Sequence, residues 1–235
     1  EGYPAYLSSR TAQFYERAGV VETLGSEGRQ GSLTVIGAVS PPGGDLSEPV
    51  SQSTLRVTKT FWSLDAGLAY KKHFPSINWL GSYSLYVDNF LDFWRDNVAP
   101  DFADVRKQAM ELLEKESKLI EIVRLVGMES LSNSDKLTLE VARMLREDFL
   151  MQNAFDPSDA YMPIKIQYNL LKSIITFYTE GMPVVTADEF EFARFKQMTT
   201  YKEIGRLKEK REVSDYENFI SRVKEEIKAL TQTNA

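Results

Sequence analysis

The chain of 235 residues contains no cysteine, which excludes a disulfide framework, thiolate metal sites and cysteine nucleophiles. A cysteine-free composition fits a reducing compartment. The single histidine, His73, excludes a metal site built from several imidazoles. The longest apolar candidates are much shorter than the roughly 20 residues that span a bilayer, and one of them, Leu33–Val39, is interrupted by Thr34 and Gly37. Membrane-spanning helices are therefore not predicted.

Several chemical signatures are missing as well. The sequence has no G-x-x-x-x-G-K-[ST] phosphate loop, no G-x-G-x-x-G and no G-x-S-x-G, so it predicts neither a catalytic residue nor a metal ligand. Lys and Arg number 28 against 34 Asp and Glu, a net charge of −6 that argues against a nucleic-acid partner. The chain starts at Glu1 without a signal-peptide pattern, and we expect it to begin inside a longer protein.

What is present is enough for a packed core, with 43% hydrophobic and 11% aromatic residues. Glycine and proline are concentrated at one end, because residues 1–80 hold 9 of the 13 glycines and 5 of the 9 prolines. Dense turn-forming residues indicate short elements, and their scarcity indicates long helices. We therefore predict an incomplete α/β domain over residues 1–82 and a helical domain over residues 83–235, with the boundary near Leu80–Tyr86.

The first part has the pattern of alternating helices and strands. The predicted helices are Tyr6–Ala18, capped by Gly19, then Ser47–Lys59 and Asp65–His73. The predicted strands are Ser32–Ser40 and Thr60–Leu64, both apolar enough to be buried on two faces, with a sharp loop at Pro41–Gly44. Because two buried strands cannot form a stable sheet alone, this part is expected to be the end of a larger α/β domain.

The second part follows a helical period. The predicted helices are Asp101–Val126, a capped helix from Ser132 to about Gln152, Pro163–Thr179, and a capped helix from Ser214 to about Leu230. Charge-mixed stretches such as Glu111–Glu121 are typical of solvated helix faces. The fold class is therefore α/β plus all-α, mostly helical overall.

Two features leave their role open at this level. The acidic loop Asp45–Glu48 follows a predicted buried strand, where it either caps the next helix or lies at the ligand-binding edge of an α/β sheet. The aromatic residues Phe74 and Phe155 lie at element boundaries, where they either pack in a core or stack on a purine base. His73 is read as a packed or surface side chain.

Long stretches of the sequence closely resemble the catalytic subunit of archaeal-type (A-type) and vacuolar-type (V-type) rotary ATPases. They are EGYPAYLSSRTAQFY at residues 1–15 with its continuation to Gly19, VIGAVSPPGGDLSEPV at 35–50, HFPSINWLGSYSLY at 73–86, and residues 121–155, which end in FLMQNAF. The resemblance covers nearly the whole chain and weakens after about Tyr161. The SPPGGDLSEP loop distinguishes this family from the β subunit of F-type ATP synthases.

The resemblance implies the C-terminal part of a RecA-like nucleotide-binding domain followed by the C-terminal helical bundle. In that family the phosphate-loop lysine and threonine and the glutamate that activates water lie in segments that these 235 residues do not contain. The cofactor implied is Mg-ATP or Mg-ADP in the intact subunit, and none is expected to be bound by this piece. By itself the piece is expected not to hydrolyse ATP.

The resemblance also assigns residues to two sites. Phe74 and Pro75 fall where the family stacks an aromatic ring on adenine. Four residues of the FLMQNAF stretch fall where the bundle closes over the base: Phe149, Gln152, Ala154 and Phe155. Contact with the central shaft is implied for a loop containing Asp45, Ser47 and Glu48 and for an acidic segment containing Glu129 and Asp135.

The implied partners are the non-catalytic B subunit, which alternates with the catalytic one in a hexamer and supplies the arginine finger, and the central stalk subunits. The implied location is the cytoplasmic face of a membrane, contacted only through the ion-translocating sector. Two alternatives are kept: a non-enzymatic helical interaction module, favoured by the missing phosphate loop, and a fragment of an F-type β subunit.

Overall fold

The computed structural model describes residues 2–25, 28–187 and 190–232. Within them the chain is mainly helical, in agreement with the predicted fold class. The helices are α1 Leu7–Tyr15, α2 Pro49–Val57, α3 Ala66–Tyr70, α4 Leu91–Asn97, α5 Phe102–Val126, α6 Asn133–Met144, α7 Pro157–Ala160, α8 Ile164–Val185, α9 Ala193–Gln197, α10 Thr199–Leu207 and α11 Val213–Gln232. The strands are β1 Gly19–Glu22, β2 Gln30–Leu33, β3 Thr60–Leu64 and β4 Ile77–Ser84.

The chain divides into two compact units. The first extends to Trp62 and includes Ser82–Tyr86, and the second comprises Ser63–Gly81 and everything from Val87 onward. The segment that follows β3 and carries His73 thus belongs to the helical unit.

The first unit contains an antiparallel hairpin in place of the predicted buried strand. β1 pairs with β2 in the register Gly19 to Leu33, and Ile36 is 77% exposed. The prediction of a strand over Ser32–Ser40 was wrong beyond Leu33, because an apolar run becomes a buried strand only where other strands flank it. Among the described residues, none pairs with residues 34–40.

Two other local predictions in this unit had different outcomes. Gly19 does not cap α1, since that helix ends at Tyr15 with Glu16 as its cap, and Gly19 instead begins β1. The sharp loop at Pro41–Gly44 is confirmed: a single 3₁₀ turn in which Gly43 and Gly44 have φ of 65° and 76°, a conformation that glycine adopts without a steric penalty. The helices α1 and α2 pack together, with a 3.0 Å hydrogen bond between the hydroxyls of Ser8 and Ser53.

The second unit is built around α8, which packs against α5, α6 and α11. These helices contribute large side chains that are almost fully buried, including Leu112, Leu137, Phe177 and Val223. At about 1.5–3 kcal/mol for each fully buried aliphatic or aromatic side chain, this core is the main source of stability in the unit.

The predicted end of α8 before Gly181 was wrong, since the helix continues to Val185 with Pro183 inside its last turn. Gly181 is buried, and a Cβ atom there would lie 3.2 Å from side-chain atoms of both Leu137 and Phe195. This glycine therefore permits close packing of side chains against the helix and does not end it.

Helix α6 begins as predicted, with the Ser132 hydroxyl accepting a hydrogen bond from the backbone N–H of Asp135. Its continuation differs from a regular helix, because Leu145–Leu150 forms a π-helical turn. Such turns are rare and are frequent at functional sites. No helix in residues 2–25, 28–187 and 190–232 is both long and apolar enough to cross a bilayer.

Candidate functional site

The first segment of the candidate site lies between α3 and β4. The carboxylate of Asp65 caps the N-terminus of α3. After the helix, the backbone N–H of His73 donates a hydrogen bond to the carbonyl of Leu68. The Phe74-Pro75 peptide bond is cis. The His73 side chain is buried with its ring centroid 5.6 Å from that of Trp79, whereas Phe74 is half exposed.

The second segment is the π-helical turn Leu145–Leu150 and the loop of residues 151–156 that follows it. The backbone N–H of Met151 donates to the carbonyl of Arg146 and closes the turn. In the loop, the Asn153 side chain accepts a 3.0 Å hydrogen bond from the backbone of Phe155, and the Asp156 side chain caps α7. Local side-chain to backbone bonds therefore define the loop conformation.

The two segments meet through their backbones. The N–H of Gln152 donates a 2.7 Å hydrogen bond to the carbonyl of Phe74. Both residues belong to the second unit, so the helical unit itself contains both sequence segments to which the family resemblance assigns the adenine ring.

A cavity of about 270 Å³ lies where these segments meet. Its lining is mostly apolar and aromatic with a few polar groups, which is typical of a small-molecule site. The lining residues are His73, Pro75, Ile77, Trp79, Phe149, Leu150, Gln152, Asp159, Met162, Gln167, Leu170 and Lys208.

The six residues predicted to contact adenine fall into two groups. Pro75, Phe149 and Gln152 line the cavity. Phe74 is 51% exposed and Phe155 is 96% exposed, and Ala154 is also exposed. The side chains of Phe74 and Phe155 are thus accessible to a planar base. Their roles stay predictions.

Sequence reasoning missed Gln167 and the two charged residues of this cavity, Asp159 and Lys208. The Lys208 ammonium lies 2.9 Å from the buried carboxylate of Asp159 and donates to the carbonyl of Met151 at 3.1 Å. Lys208 lies beyond the point where the family resemblance weakens, in a charge-mixed stretch typical of solvated helix faces. Only its partner in the fold distinguishes it from the lysines around it.

The single histidine has an altered acid–base equilibrium. Burial lowers the pKa of His73 below its ordinary value of 6.5, the nearby Arg146 charge lowers it further, and Glu147 partly opposes both. Near neutral pH the His73 imidazole, which lines the cavity, is therefore in its neutral form. In this form one ring nitrogen donates a hydrogen bond and the other accepts one.

A second cavity of about 250 Å³ shares four of its lining residues with the first: Trp79, Phe149, Leu150 and Gln167. The rest of its lining comes mainly from α5 and α8. Phe149, on the π-helical turn, therefore forms part of the wall of both cavities.

The predicted shaft-contact residues of the first unit have local roles in the structure. Asp45 accepts a 2.9 Å hydrogen bond from the backbone of Ser47, and Glu48 caps α2 by accepting from the backbones of Val50 and Ser51. The helix cap is thus Glu48, within the loop that the sequence analysis offered as a cap for the next helix. The backbone hydrogen bond from Ser47 lowers the pKa of Asp45, and the Ser51 side chain, with smaller contributions from the backbone bonds, lowers the pKa of Glu48.

The other predicted shaft contacts lie at the turn between α5 and α6. Glu129 is exposed in a 3₁₀ turn, and Asp135 accepts a 2.6 Å hydrogen bond from the hydroxyl of Ser132 in the cap of α6. The surroundings are more apolar than the sequence suggested, because Leu125, Val126 and Met128 are all about half exposed or more. Among the described residues, no cluster of three or more His, Asp or Glu side chains is placed to hold a metal ion.

Comparison with known families matches both parts of the chain. Residues 1–84 match the nucleotide-binding domain of the ATP synthase alpha/beta family, and residues 91–192 match the C-terminal domain of V and A type ATP synthase.

Individual relatives agree with these matches. The A subunit of the A-type ATP synthase of Methanosphaera stadtmanae is 55% identical over 208 residues, which cover 88% of this chain and 35% of the relative. The V-type ATP synthase alpha chain of Clostridium botulinum is 59% identical over 187 residues, covering 80% of this chain and 32% of the relative. The A-type relative from Pyrococcus horikoshii is 51% identical over 230 residues, covering 98% of this chain and 24% of the relative. The chain thus spans about a third or less of each.

A solved structure, that of the ATP synthase subunit NeqB from Nanoarcheaum equitans, superposes with a TM-score of 0.63 at 26% identity, covering 75% of this chain and 40% of that one. The family matches, the identities above 50% and the similar fold lead to one conclusion. The chain belongs to the family of A-type and V-type ATP synthase A (alpha) subunits and corresponds to their C-terminal portion.

Proposed function

We propose that this chain forms the base-binding part of the catalytic subunit of an A/V-type rotary ATPase. The observation that carries the proposal is the cavity bordered by Pro75, Phe149 and Gln152, in the unit that also carries the exposed rings of Phe74 and Phe155. In the whole protein this subunit couples ATP hydrolysis or synthesis to shaft rotation and to transport of protons or sodium ions.

The residues of this chain fit the base of the nucleotide and not its phosphates. The apolar cavity and exposed aromatic rings suit a purine, since base–aromatic stacking is worth about 1–3 kcal/mol per base. The bound Mg-ATP or Mg-ADP would supply the phosphoryl group and the metal charge. Because the sequence has no phosphate-loop motif, the contribution proposed for this chain is to bind and orient the base.

The proposed partners follow from the same assignment. They are the non-catalytic B subunit, alternating with this subunit in a hexamer, and the central stalk. The turn carrying Glu129, with its exposed neighbours Leu125 and Met128, is the proposed stalk contact in the helical unit. The loop Asp45–Glu48 is proposed as a second contact. We infer that the subunit is a peripheral component at the cytoplasmic face of the membrane. The proposed domain boundary between residues 82 and 83 differs from the division into compact units, in which Ser63–Gly81 belongs to the helical unit.

The base-binding role can be tested by NMR titration of the isotope-labelled chain with adenosine and with AMP. No nucleotide is expected to remain bound to this piece by itself, but NMR detects weak binding, and at high ligand concentration we expect saturable shifts of the backbone signals of Gln152, Asn153 and Phe155 and of the His73 ring. Ribose 5-phosphate, which lacks the base, should leave these signals in place. Saturable shifts caused by ribose 5-phosphate alone, or none with either purine, would overturn the assignment.

The alternative of a non-enzymatic helical module makes a different prediction. The purified chain should not turn over ATP under either reading, but a full-length subunit that contains it should do so only if the ATPase assignment holds. A full-length subunit that assembles with its partners and shows no turnover would favour the module. An F-type β subunit is disfavoured by the match of residues 91–192 to the V and A type C-terminal domain.

A further inference from the structure

The loop of residues 151–156 carries three of the predicted adenine contacts. One side chain, that of Lys208, bonds to residues on both sides of these contacts. Lys208, the C-terminal cap of α10, donates from its ammonium to the carbonyl of Met151 where the loop begins. The same ammonium lies 2.9 Å from the carboxylate of Asp159, on α7, just beyond the loop. A single side chain thus connects the start of the loop to the helix that follows it.

The carboxylate in this arrangement also acts on the loop backbone. Asp159 is 7% exposed and accepts a 2.8 Å hydrogen bond from the N–H of Asn153 through the same oxygen that faces Lys208. The Lys208 side chain is 22% exposed, so water screens the pair less than a surface ion pair. Charge-assisted hydrogen bonds of this kind are about twice as strong as neutral ones.

The tied loop is also joined to the other segment of the site. Gln152 lies between Met151 and Asn153, the two residues whose backbones bond to Lys208 and Asp159, and its own N–H reaches the carbonyl of Phe74. Movement of the loop would therefore displace Gln152 and Phe155 relative to Phe74.

We propose that Lys208 and Asp159 are positioning residues for the base, which hold the loop of residues 151–156 in the conformation that presents Gln152 and Phe155 to a purine. The inference rests on the proposed base-binding function. It adds to the site a residue from the end of α10. The two residues act through the loop backbone and need no contact with the nucleotide.

The test compares Lys208→Gln and Asp159→Asn with the unaltered chain, by measuring the dissociation constants of adenosine and AMP together with the melting temperature. Lys208→Gln keeps a donor but removes the charge, and Lys208→Arg restores the charge. The matched control is Arg222→Gln, which removes the exposed ion pair with Glu203 elsewhere in the same unit.

We expect Lys208→Gln and Asp159→Asn each to raise the dissociation constants of adenosine and of AMP about tenfold and by the same factor. This is the effect of losing one charge-assisted hydrogen bond. Faster amide hydrogen exchange at Asn153 should accompany the loss. The double variant should lose little more than either single variant, since both act on one loop. Lys208→Arg should recover most of the affinity, and Arg222→Gln should change nothing.

The other outcomes overturn the proposal in distinguishable ways. A lower melting temperature with unchanged dissociation constants makes the pair purely structural. If the variants lose affinity for AMP but not for adenosine, Lys208 contacts the phosphate directly. If the unaltered chain binds neither purine, the proposed function fails and the positioning role fails with it. If Lys208→Gln does not fold, Asp159→Asn and Lys208→Arg are measured in the same way and decide by the same criteria.

Discussion

The backbone N–H of Gln152 donates a 2.7 Å hydrogen bond to the carbonyl of Phe74, and this bond connects the two segments that the family resemblance assigns to the adenine ring. A backbone bond fixes the distance between two chain segments without depending on their side chains. The rings of Phe74 and Phe155 can therefore be changed separately while the connection between the segments remains.

Replacing Phe74 with alanine tests whether its exposed ring stacks on the base. We expect the dissociation constant of AMP to rise by an amount equivalent to about 1–3 kcal/mol, because one base–aromatic contact is lost. Titration calorimetry or NMR titration measures the change. Tyr70→Ala, at a side chain that is 88% exposed, is the control and should leave AMP binding unchanged. Equal dissociation constants for Phe74→Ala and the unaltered chain would remove Phe74 from the site.

The lowered pKa of His73 leads us to expect that the stability of the chain depends on pH. Burial lowers its pKa in the folded state, so the unfolded chain binds a proton near pH 6.5 that the folded chain does not. The contribution of His73 to stability is therefore fully present above pH 6.5. It decreases as the pH falls from 6.5 to the lowered pKa of the folded state.

Urea unfolding at a series of pH values, together with NMR titration of the imidazole, measures this effect. His73→Gln should flatten the pH dependence in that window, because glutamine does not titrate. The presence of one histidine makes the assignment of the imidazole signal unambiguous. A His73 ring that titrates at or above pH 6.5 in the folded chain would contradict the prediction.

The buried ion pair between Glu116 and Arg146 predicts a large loss of stability on removal of one partner. Glu116 is 4% exposed, and Arg146 lies 2.9 Å away at the start of the π-helical turn. Arg146→Met leaves the carboxylate without its partner and should lower the free energy of unfolding by about 3–5 kcal/mol. The double variant with Glu116→Gln should recover much of this loss. Lys118→Met, at an exposed pair with Glu114, should cost less than about 1 kcal/mol.

The same pair gives the sign of a pH effect. Burial raises the pKa of Glu116 above its ordinary value, and the Arg146 charge opposes the rise. Without Arg146 the pKa should rise further, so the folded variant takes up a proton more readily than the unfolded one. The loss in Arg146→Met should therefore be largest near neutral pH and shrink on acidification. A loss that does not depend on pH would contradict this explanation.

The turn between α5 and α6 predicts an apolar component in the proposed stalk contact. Leu125 is 86% exposed, and its replacement by serine should change the free energy of unfolding by less than about 0.5 kcal/mol. In an assembled rotary complex carrying the same change, coupling of ATP hydrolysis to rotation should decrease. Leu24→Ser, at a fully exposed residue of the first unit, is the control. If Glu129→Gln impairs coupling and Leu125→Ser does not, the contact is electrostatic.

Local chemistry explains which elements could be predicted. The cap of α6 at Ser132 and the turn at Pro41–Gly44 follow from side-chain and backbone properties of a few adjacent residues, and the structure has both. Strand Thr60–Leu64 also has the predicted bounds, but the prediction that it is buried on both faces was wrong, since Trp62 is 60% and Leu64 is 78% exposed. β4 at Ile77–Ser84 was not predicted, because its pairing with β3 depends on residues distant in sequence.

The sequence by itself determined the fold class and, through long specific segments, the family. It also identified Phe74 and Phe155 as candidates. Tertiary structure decided which residues come together: the bond between Gln152 and Phe74, the pairing of Lys208 with Asp159, and the close packing that keeps α8 helical through Gly181. The physical reason is that caps and turns depend on neighbours in the chain, whereas ion pairs, cavities and packed glycines depend on neighbours in space.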